Sequence, residues 1–213
     1  MLTVHHLGVS QSERIVWLCE ELGIPYDLKV YPRDSETRLA PAAYKALHPT
    51  GMAPVITDGD VVLAESGAII EYILALHGKG RLVVAPGKPG YADYLFWLHF
   101  ANGTLMPSEM SNWITGSIPG SDQMWLTSIM KGRADQAYGL VEKRLGEATY
   151  LAGEEFTVAD IMTVFILSTF RAFTGRTIGE FPNMRRYLAL IGSRPAYQRA
   201  MAKGDPGMAL LLD

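Results

Sequence analysis

The sequence is poor in cysteine and has no long apolar run. Its 213 residues include a single cysteine, Cys19, which excludes a disulfide within the chain, a C-x-x-C redox pair and a cysteine-based zinc site. The most apolar stretch, residues 161–170, is about ten residues long, whereas a membrane-spanning helix needs roughly 20. We therefore expect no membrane partner and interpret this stretch as a buried helix.

No part of the chain carries a surplus of positive charge. The formal net charge is -3; residues 1–80 hold 6 Lys/Arg and 10 Asp/Glu, and residues 81–213 hold 13 and 12. Because binding to nucleic acid phosphates needs a basic surface, we expect no nucleic-acid partner. The N-terminus shows no basic stretch followed by an apolar core, as a secretory signal would. With the single cysteine, this favours a cytoplasmic location.

The first part of the chain alternates between strand and helix patterns. Residues 2–6 and 26–31 have the character of strands, and Ser10 to Glu13 forms an S-x-x-E capping box that predicts the start of the helix between them. A short helix is predicted over residues 42–47. Two short strands then flank an Asp-Gly turn, and Ser66 is predicted to cap a further helix. The order is βαβ–α–ββα, an α/β unit.

The second part shows only helical patterns. Residues 78–90 contain four glycines and two prolines, a composition typical of a boundary between domains. After this segment the apolar spacing predicts helices alone, among them one that Thr157 and Asp160 open as a capping box. We therefore predict an N-terminal domain over residues 1–78, a linker over 79–90 and an all-α domain over 91–213.

Three short motifs could carry chemistry, and the first is Ala53-Pro54. If this peptide bond is cis, the N–H and C=O groups of Ala53 are exposed at a sheet edge, where an extended peptide ligand can pair as an added strand. The alternative is an ordinary trans proline at the start of a strand, which is the commoner case.

The second motif is Glu65-Ser66, where a strand gives way to a helix. Free backbone N–H groups and the positive end of the helix dipole favour a carboxylate there. Glu65 could hold an ammonium group, so the pair would suit an amino-acid-like head group. The alternative is a plain N-cap serine beside a solvated glutamate.

The third motif is Ser10, at the first strand–helix turn. A hydroxyl in that position can donate to a thiolate, while the beginning of the helix supplies positive potential that lowers a thiol pKa. The alternative is that Ser10 only caps the helix, and the two roles can coexist.

Taken in this order, the motifs resemble the glutathione transferase superfamily, in particular its bacterial-type cytosolic members with an active-site serine. The stretches that carry the resemblance are 5–10 with 14–18, 48–56, 64–72, and 181–183 with 194–197. They span nearly the whole chain. The resemblance implies a thioredoxin-like N-terminal domain, an all-helical C-terminal domain and a homodimer.

The resemblance also implies a role for each motif. Ala53 would hold the cysteinyl part of glutathione, with Pro54 as the cis-proline, and Glu65 and Ser66 would hold the γ-glutamyl end. Ser10 would activate the thiol. Ser12 is the second candidate for that role.

The sequence departs from its relatives where they hold the glycyl carboxylate. Many have lysine at the position of Met52, and methionine cannot bind a carboxylate. Many have asparagine where this chain has His48. Affinity for glutathione would then be reduced, or His48 or Gln11 would bind that carboxylate instead.

The resemblance also suggests an apolar site for a second substrate, a small hydrophobic electrophile. Its candidate residues are Leu7, Met106, Met110 and Trp113. The alternative for the three residues of the second domain is that they belong to the helix core. No metal is expected, because adjacent His5 and His6 in a strand point to opposite faces and the other histidines have no partner at ligand spacing.

The leading hypothesis is conjugation of the glutathione thiolate to a hydrophobic electrophile, with glutathione as co-substrate. Reduction of peroxides or disulfides, isomerisation and dehalogenation use the same thiolate and stay open. A non-catalytic binding module with this fold is the alternative from another class, and the methionine at position 52 keeps it open.

Overall fold

The structure is a computed structural model that describes all 213 residues. The chain forms two compact units. The first contains residues Met1–Leu82 together with Ile191–Leu210, and the second contains Val83–Leu190 together with Leu211–Asp213. No helix combines the length and the hydropathy that crossing a lipid bilayer would require.

The first unit contains a four-stranded mixed sheet and helices, the α/β arrangement expected from the sequence. In chain order its elements are β1 (Leu2–Leu7), α1 (Glu13–Leu22), β2 (Asp27–Tyr31), α2 (Ala42–Lys45), β3 (Val55–Asp58), β4 (Val61–Ala64) and α3 (Ser66–Ile73), and, late in the chain, α10 (Pro195–Gly204). The strand order is β2-β1-β3-β4. The pair β1/β2 is parallel and the other two pairs are antiparallel, as in a thioredoxin-like domain.

The helix α1 is buried on nearly every side, because it packs against the sheet, α3 and α10. Its contact with α10 centres on Trp17 and Tyr197, whose ring centroids lie 4.8 Å apart in an edge-to-face arrangement. Arg194 donates two hydrogen bonds to the Glu21 carboxylate, at 2.8 and 2.9 Å. These contacts join a helix from the end of the chain to the first unit.

The second unit is helical, as the sequence patterns predict. Its elements are α4 (Tyr91–Phe100), α5 (Met106–Gly116), α6 (Trp125–Glu147), α7 (Val158–Leu167), α8 (Arg171–Thr174) and α9 (Pro182–Gly192), whose last two residues belong to the first unit. Every residue of α7 is buried, which accounts for its apolar sequence. The predicted capping box is present: Thr157 accepts from the Ala159 N–H, and the Asp160 carboxylate accepts from the Thr157 N–H at 2.9 Å.

The capping box predicted at Ser10 and Glu13 is wrong. The first helical residue of α1 is Glu13, and its N-cap is Ser12, whose side chain makes no capping hydrogen bond. The Ser10 hydroxyl accepts from the Ser12 N–H at 3.2 Å, so the pattern closes a turn before the helix. Neither hydroxyl caps the helix.

Candidate functional site

Three loops of the first unit lie at the same end of the sheet because of the strand register. His5 of β1 pairs with Val55 of β3, and Val55 pairs with Ala64 of β4, both antiparallel. The segment that follows β1, the one that precedes β3 and the one that follows β4 must therefore emerge at one end. These segments contain Ser10, Ala53-Pro54 and Glu65-Ser66.

The Ala53–Pro54 peptide bond is cis. Pro54 is buried, whereas Ala53 is half-buried. The ladder between β3 and β4 begins at Val55, so the N–H and C=O groups of Ala53 lie outside it. These groups can pair with the backbone of an extended ligand.

The prediction that Ser66 is the N-cap of its helix is wrong by one residue. Glu65 is the N-cap and Ser66 is the first helical residue of α3. Glu65 has φ 75, a left-handed conformation that is uncommon for a residue other than glycine, and its side chain is exposed. Ser66 is 1% exposed, because its hydroxyl faces the buried guanidinium of Arg14.

Arg14 connects the first turns of α1 and α3. Its Nη1 donates to Gln11 Oε1 and, at 3.2 Å, to Ser66 Oγ. The side chain is fully buried, and this burial lowers the pKa of the guanidinium to about 9, against a smaller opposing effect of Glu13. Two helix beginnings, each with backbone N–H groups and the positive end of a helix dipole, are thus held side by side.

Ser10 and Ser12 differ in what surrounds their hydroxyls. Ser12 Oγ is enclosed: it accepts from the Leu7 N–H at 3.1 Å and lies 3.3 Å from the Leu7 carbonyl oxygen, 2.9 Å from His6 Nδ1 and 2.8 Å from Ser10 Oγ. Ser10 is 5% exposed, and its hydroxyl is bonded only to the N–H and the hydroxyl of Ser12. Of the two serines, Ser10 keeps hydrogen-bonding capacity for a ligand.

Behind the serines, His6 and Asp205 form a buried pair. His6 Nε2 lies 3.1 Å from Asp205 Oδ2, and the side chains are 0% and 7% exposed. Asp205 follows the last residue of α10, so it is brought to this site by the packing of α10 on α1. Its other oxygen, Oδ1, accepts from the Val9 N–H at 2.8 Å.

The loop between β1 and α1 is held in a strained conformation. Val9 has φ 51, which is costly for a β-branched side chain. Arg33 fixes the loop from its other side, because its guanidinium donates to the carbonyl oxygens of Gly8 and Val9 at 2.8 and 3.0 Å. Together with Asp205, these bonds determine the position of Ser10.

The residues considered for the glycyl carboxylate differ in their exposure and in the hydrogen bonds that they already make. Met52 is 64% exposed. His48 is half-buried, and its Nδ1 accepts from the Thr50 N–H at 3.3 Å, which leaves Nε2 to carry the proton of the neutral ring. Gln11 is half-buried, and its carbonyl oxygen is bonded to Arg14.

The residues considered for an electrophile lie in both units. In α5, Met106 is 9% exposed and Met110 is half-buried, while Trp113 is 36% exposed and packs edge-to-face on Phe170 at 6.4 Å. Leu7 is 4% exposed and belongs to the apolar cluster of the first unit, so its side chain contributes to that core.

Two other potentially reactive side chains, Cys19 and His5, are buried. Cys19 is buried in α1, and burial raises the pKa of its thiol to about 12. His5 points to the face opposite His6, where Nδ1 lies 3.0 Å from the Tyr31 hydroxyl and Nε2 lies 3.1 Å from Thr57 Oγ1. No group of three potential ligands for a metal ion is present.

Sequence reasoning missed Arg14, Arg33 and Asp205. Arg14 falls on the buried face of α1, and a buried arginine in a helix is itself a signal, because arginine is rarely buried without partners. Asp205 is 199 residues from His6, and no local pattern could have paired them.

Comparisons with known proteins agree with the fold. Residues 10–76 match the family model of the glutathione S-transferase N-terminal domain, and residues 127–195 match that of the C-terminal domain. Glutathione S-transferase 3 of Schizosaccharomyces pombe is 30% identical over 222 residues, which cover 95% of this chain and 88% of the relative. Glutathione S-transferase GstB of Escherichia coli is 28% identical, covering 90% and 93%.

Solved structures show the same similarity over the whole chain. A glutathione S-transferase from Actinobacillus pleuropneumoniae is 34% identical, with a TM-score of 0.88 over 100% of this chain and 99% of its own. A glutathione transferase from Burkholderia graminis, which has two glutathione molecules bound per subunit, is 23% identical, with a TM-score of 0.76 over 97% and 89%. The second similarity concerns the fold alone.

Proposed function

The chain belongs to the glutathione S-transferase family, and we propose that it binds glutathione at the end of the sheet that carries Ser10, Ala53-Pro54 and Glu65-Ser66. The residues 1–78 would form the glutathione-binding domain, residues 79–90 a linker, and residues 91–213 the domain that contributes the electrophile site. A relative from Burkholderia graminis, with two glutathione molecules bound per subunit, has a similar fold.

The observation that carries the proposal is the pairing of two helix beginnings by Arg14, whose Nη1 bonds both Gln11 and Ser66. Glutathione has carboxylates at its two ends and a thiol in the middle. At α3, backbone N–H groups and the helix dipole suit the γ-glutamyl carboxylate. The exposed Glu65 carboxylate suits the ammonium group of the γ-glutamyl residue of glutathione.

The middle of glutathione would lie along Ala53. Its backbone groups precede the ladder of β3 and can form two hydrogen bonds with the cysteinyl residue, as in an added strand. The peptide would then continue toward the exposed Met52 and the Nε2–H of His48, where the glycyl carboxylate would be bound, with the Gln11 amide as the second candidate partner.

The reaction we propose is attack of the glutathione thiolate on a small hydrophobic electrophile. Ser10 would stabilise the thiolate through its hydroxyl, beside the positive end of α1. In α5, Met110 and Trp113 would offer an apolar surface of the kind that accepts varied small molecules, whereas Met106 is nearly buried.

The test is turnover of a panel of electrophiles with glutathione, in the wild type and in Ser10→Ala and Ser12→Ala variants. We expect Ser10→Ala to lower kcat by roughly 100- to 1000-fold, the range for loss of one stabilising donor. Full activity in Ser10→Ala would remove this serine from the mechanism. Including peroxides, disulfides and halogenated substrates in the panel separates conjugation from reduction, isomerisation and dehalogenation.

A second candidate function is a binding module without catalytic activity. Met52 favours it, because an exposed methionine leaves the glycyl carboxylate without a cation at that position. Calorimetry with glutathione at millimolar concentration distinguishes this function from the enzyme, because a module that no longer uses glutathione shows no binding.

We further propose that the protein is a cytoplasmic homodimer. The free, buried Cys19 fits a reducing compartment. On α4, Phe96 is 53% exposed, and a side chain of that size gains stability when a second subunit covers it. Analytical ultracentrifugation of the wild type and of Phe96→Glu tests the dimer, which the charged side chain should weaken.

A further inference from the structure

We propose that Ser12, His6 and Asp205 form a proton relay behind Ser10, which takes the thiol proton of bound glutathione to the His6 imidazole. The inference rests on the proposed function, since it needs glutathione with its thiol at Ser10. His6, Ser12 and Asp205 are positioning residues, because each acts on the thiol through Ser10.

The relay is an unbroken chain of hydrogen bonds. Ser10 Oγ lies 2.8 Å from Ser12 Oγ, which lies 2.9 Å from His6 Nδ1. His6 Nε2 lies 3.1 Å from Asp205 Oδ2. Ser12 and His6 are 0% exposed, so neither can exchange its proton with bulk water without an opening of the protein.

The partners fix where each proton lies in the resting protein. A carboxylate can only accept, so the hydrogen bond to Asp205 requires a proton on His6 Nε2. In the neutral ring Nδ1 is then an acceptor. The Ser12 hydroxyl lies 2.9 Å from this nitrogen and 3.3 Å from the Leu7 carbonyl oxygen, and we assign its proton to the nearer acceptor, Nδ1. The Leu7 N–H occupies one lone pair of Ser12 Oγ, and the remaining lone pair accepts the proton of the Ser10 hydroxyl.

It follows that Ser10 cannot donate to sulfur in this state. Its proton is directed to Ser12, and one of its lone pairs accepts from the Ser12 N–H. The one remaining position is a second lone pair, which can accept a hydrogen bond from a thiol S–H group.

Ionisation of the thiol reverses the direction of each hydrogen bond from the thiol through Ser10 and Ser12 to His6 Nδ1. The S–H bond breaks as a new O–H bond forms at Ser10; Ser10 passes its former proton to Ser12, and Ser12 passes its own to His6 Nδ1. The products are a thiolate and an imidazolium, so charge is conserved and no proton leaves the protein. Ser10 now donates to the thiolate, and Asp205 pairs with the charged ring.

The charged groups around His6 suit this transfer. Asp205 contacts the ring directly, because its Oδ2 lies 3.1 Å from His6 Nε2. Arg33 lies near enough to Asp205 for their charges to interact, and its guanidinium is bonded to the carbonyls of Gly8 and Val9. Imidazole is also the side chain that gains and loses a proton most readily near neutral pH.

Two local features that are unfavourable for the backbone accompany this chain of hydrogen bonds. Ser12 is an N-cap residue that makes no capping bond, because its hydroxyl points to His6 and Leu7. Val9 holds a left-handed conformation that directs its N–H to Asp205. A network that only stabilised the loop would also show these features, but it would leave His6 neutral when glutathione binds.

The proton on His6 is therefore the quantity to measure. Nitrogen NMR of the full-length protein, labelled at its five histidines, reports the protonation of both ring nitrogens. The thiolate of bound glutathione is followed in parallel by its ultraviolet absorbance. We expect a neutral His6 with its proton on Nε2 in the free protein, and protonation of both nitrogens when the thiolate forms.

S-methylglutathione is the matched control ligand, because it has no thiol proton to give. It should bind and leave His6 neutral. Protonation of His6 by this analogue, a resting proton on Nδ1, or a thiolate formed beside a neutral His6 would each overturn the relay. The last result leaves the proposed function intact, whereas failure to bind glutathione overturns both.

A pair of variants adds a kinetic test. His6→Asn removes the proton acceptor, and His5→Asn removes a buried histidine from the same strand but on the opposite face. We expect His6→Asn to lower kcat by about 100-fold, the lower end of the range for acid–base catalysis, with KM for glutathione changed less than about threefold. His5→Asn should keep kcat. Equal losses in both variants would contradict the relay, and the NMR experiment needs neither variant.

Discussion

Arg14 Nη1 lies 3.2 Å from Ser66 Oγ, and this hydrogen bond joins the first turn of α1 to the first turn of α3. The two residues are 52 positions apart, and both are buried. Because the same nitrogen also bonds Gln11, the distance between the two helix beginnings is set by one side chain. A ligand with a carboxylate at each end requires that distance to be fixed.

Replacement of Arg14 should therefore affect both stability and glutathione binding. We expect Arg14→Met to lower the free energy of unfolding by about 1 to 3 kcal/mol, because it leaves Gln11 and the buried Ser66 without the hydrogen-bond donor. Arg14→Lys, which keeps a charge but not the planar group, should lose less. Denaturant unfolding measures the first effect and calorimetry the second. A stable Arg14→Met variant with unchanged glutathione affinity would show that Arg14 does not set the site.

A positive charge at position 52 should strengthen the binding of glutathione. Met52 is 64% exposed, so Met52→Lys removes little packing. If the glycyl carboxylate is bound nearby, an exposed ion pair adds about 0.2 to 1 kcal/mol, or roughly 1.4- to 5-fold in affinity. Met52→Gln is the uncharged control, and the gain should decline with added salt. Equal affinities in the two variants would place the carboxylate elsewhere.

Asp160 should make the stability of the protein depend on pH between about 4 and 6. Burial raises the pKa of its carboxyl from the ordinary 3.8 to about 6, against the hydrogen bonds from Leu151, Thr157 and Tyr187. Over this window the folded state binds more protons than the unfolded state, so the free energy of unfolding falls as the pH rises. We expect this carboxyl to contribute a fall of about 1 to 3 kcal/mol.

Asp160→Asn tests that contribution, because an amide does not titrate. Denaturant unfolding at a series of pH values should show a smaller fall in the variant, together with a lower stability. The amide has one accepting oxygen where the carboxylate has two, so either the Leu151 or the Thr157 N–H group loses its acceptor. The same slope in both proteins would mean that Asp160 is ionised throughout the window.

Cys19 should be unreactive in the folded protein. Its thiol is buried, and burial raises its pKa to about 12, so the nucleophilic thiolate is scarce at neutral pH. A chromogenic disulfide reagent should modify Cys19 only in step with unfolding by denaturant. Fast modification of the folded protein would show that α1 opens locally.

The sequence was sufficient for what depends on local pattern. The order of strands and helices follows from apolar spacing and turn residues, and the Thr157–Asp160 capping box was identified because its partners are three residues apart. The same reasoning was wrong at Ser10 and Glu13, where the pattern fits a capping box but the hydroxyls of Ser10 and Ser12 bond each other.

The contacts that complete the site depend on tertiary packing. Asp205 reaches His6 only because α10 packs on α1. No pattern in the local sequence indicates the hydrogen bond between these two residues. The one-residue error at Ser66 has a similar cause. The Ser66 hydroxyl accepts a hydrogen bond from Arg14 instead of capping its own helix, and Glu65 occupies the N-cap position.

The most direct test of the account is a titration of the protein with glutathione, in which thiolate absorbance is recorded against pH for the wild type and Ser10→Ala. We predict that the bound thiol of the wild type has a pKa at least about one unit below the ~8.5 of a free thiol. In Ser10→Ala that pKa should return toward the free value, while S-methylglutathione still binds. No binding of glutathione to the wild type at millimolar concentration, or the same thiolate pKa in both proteins, would contradict it.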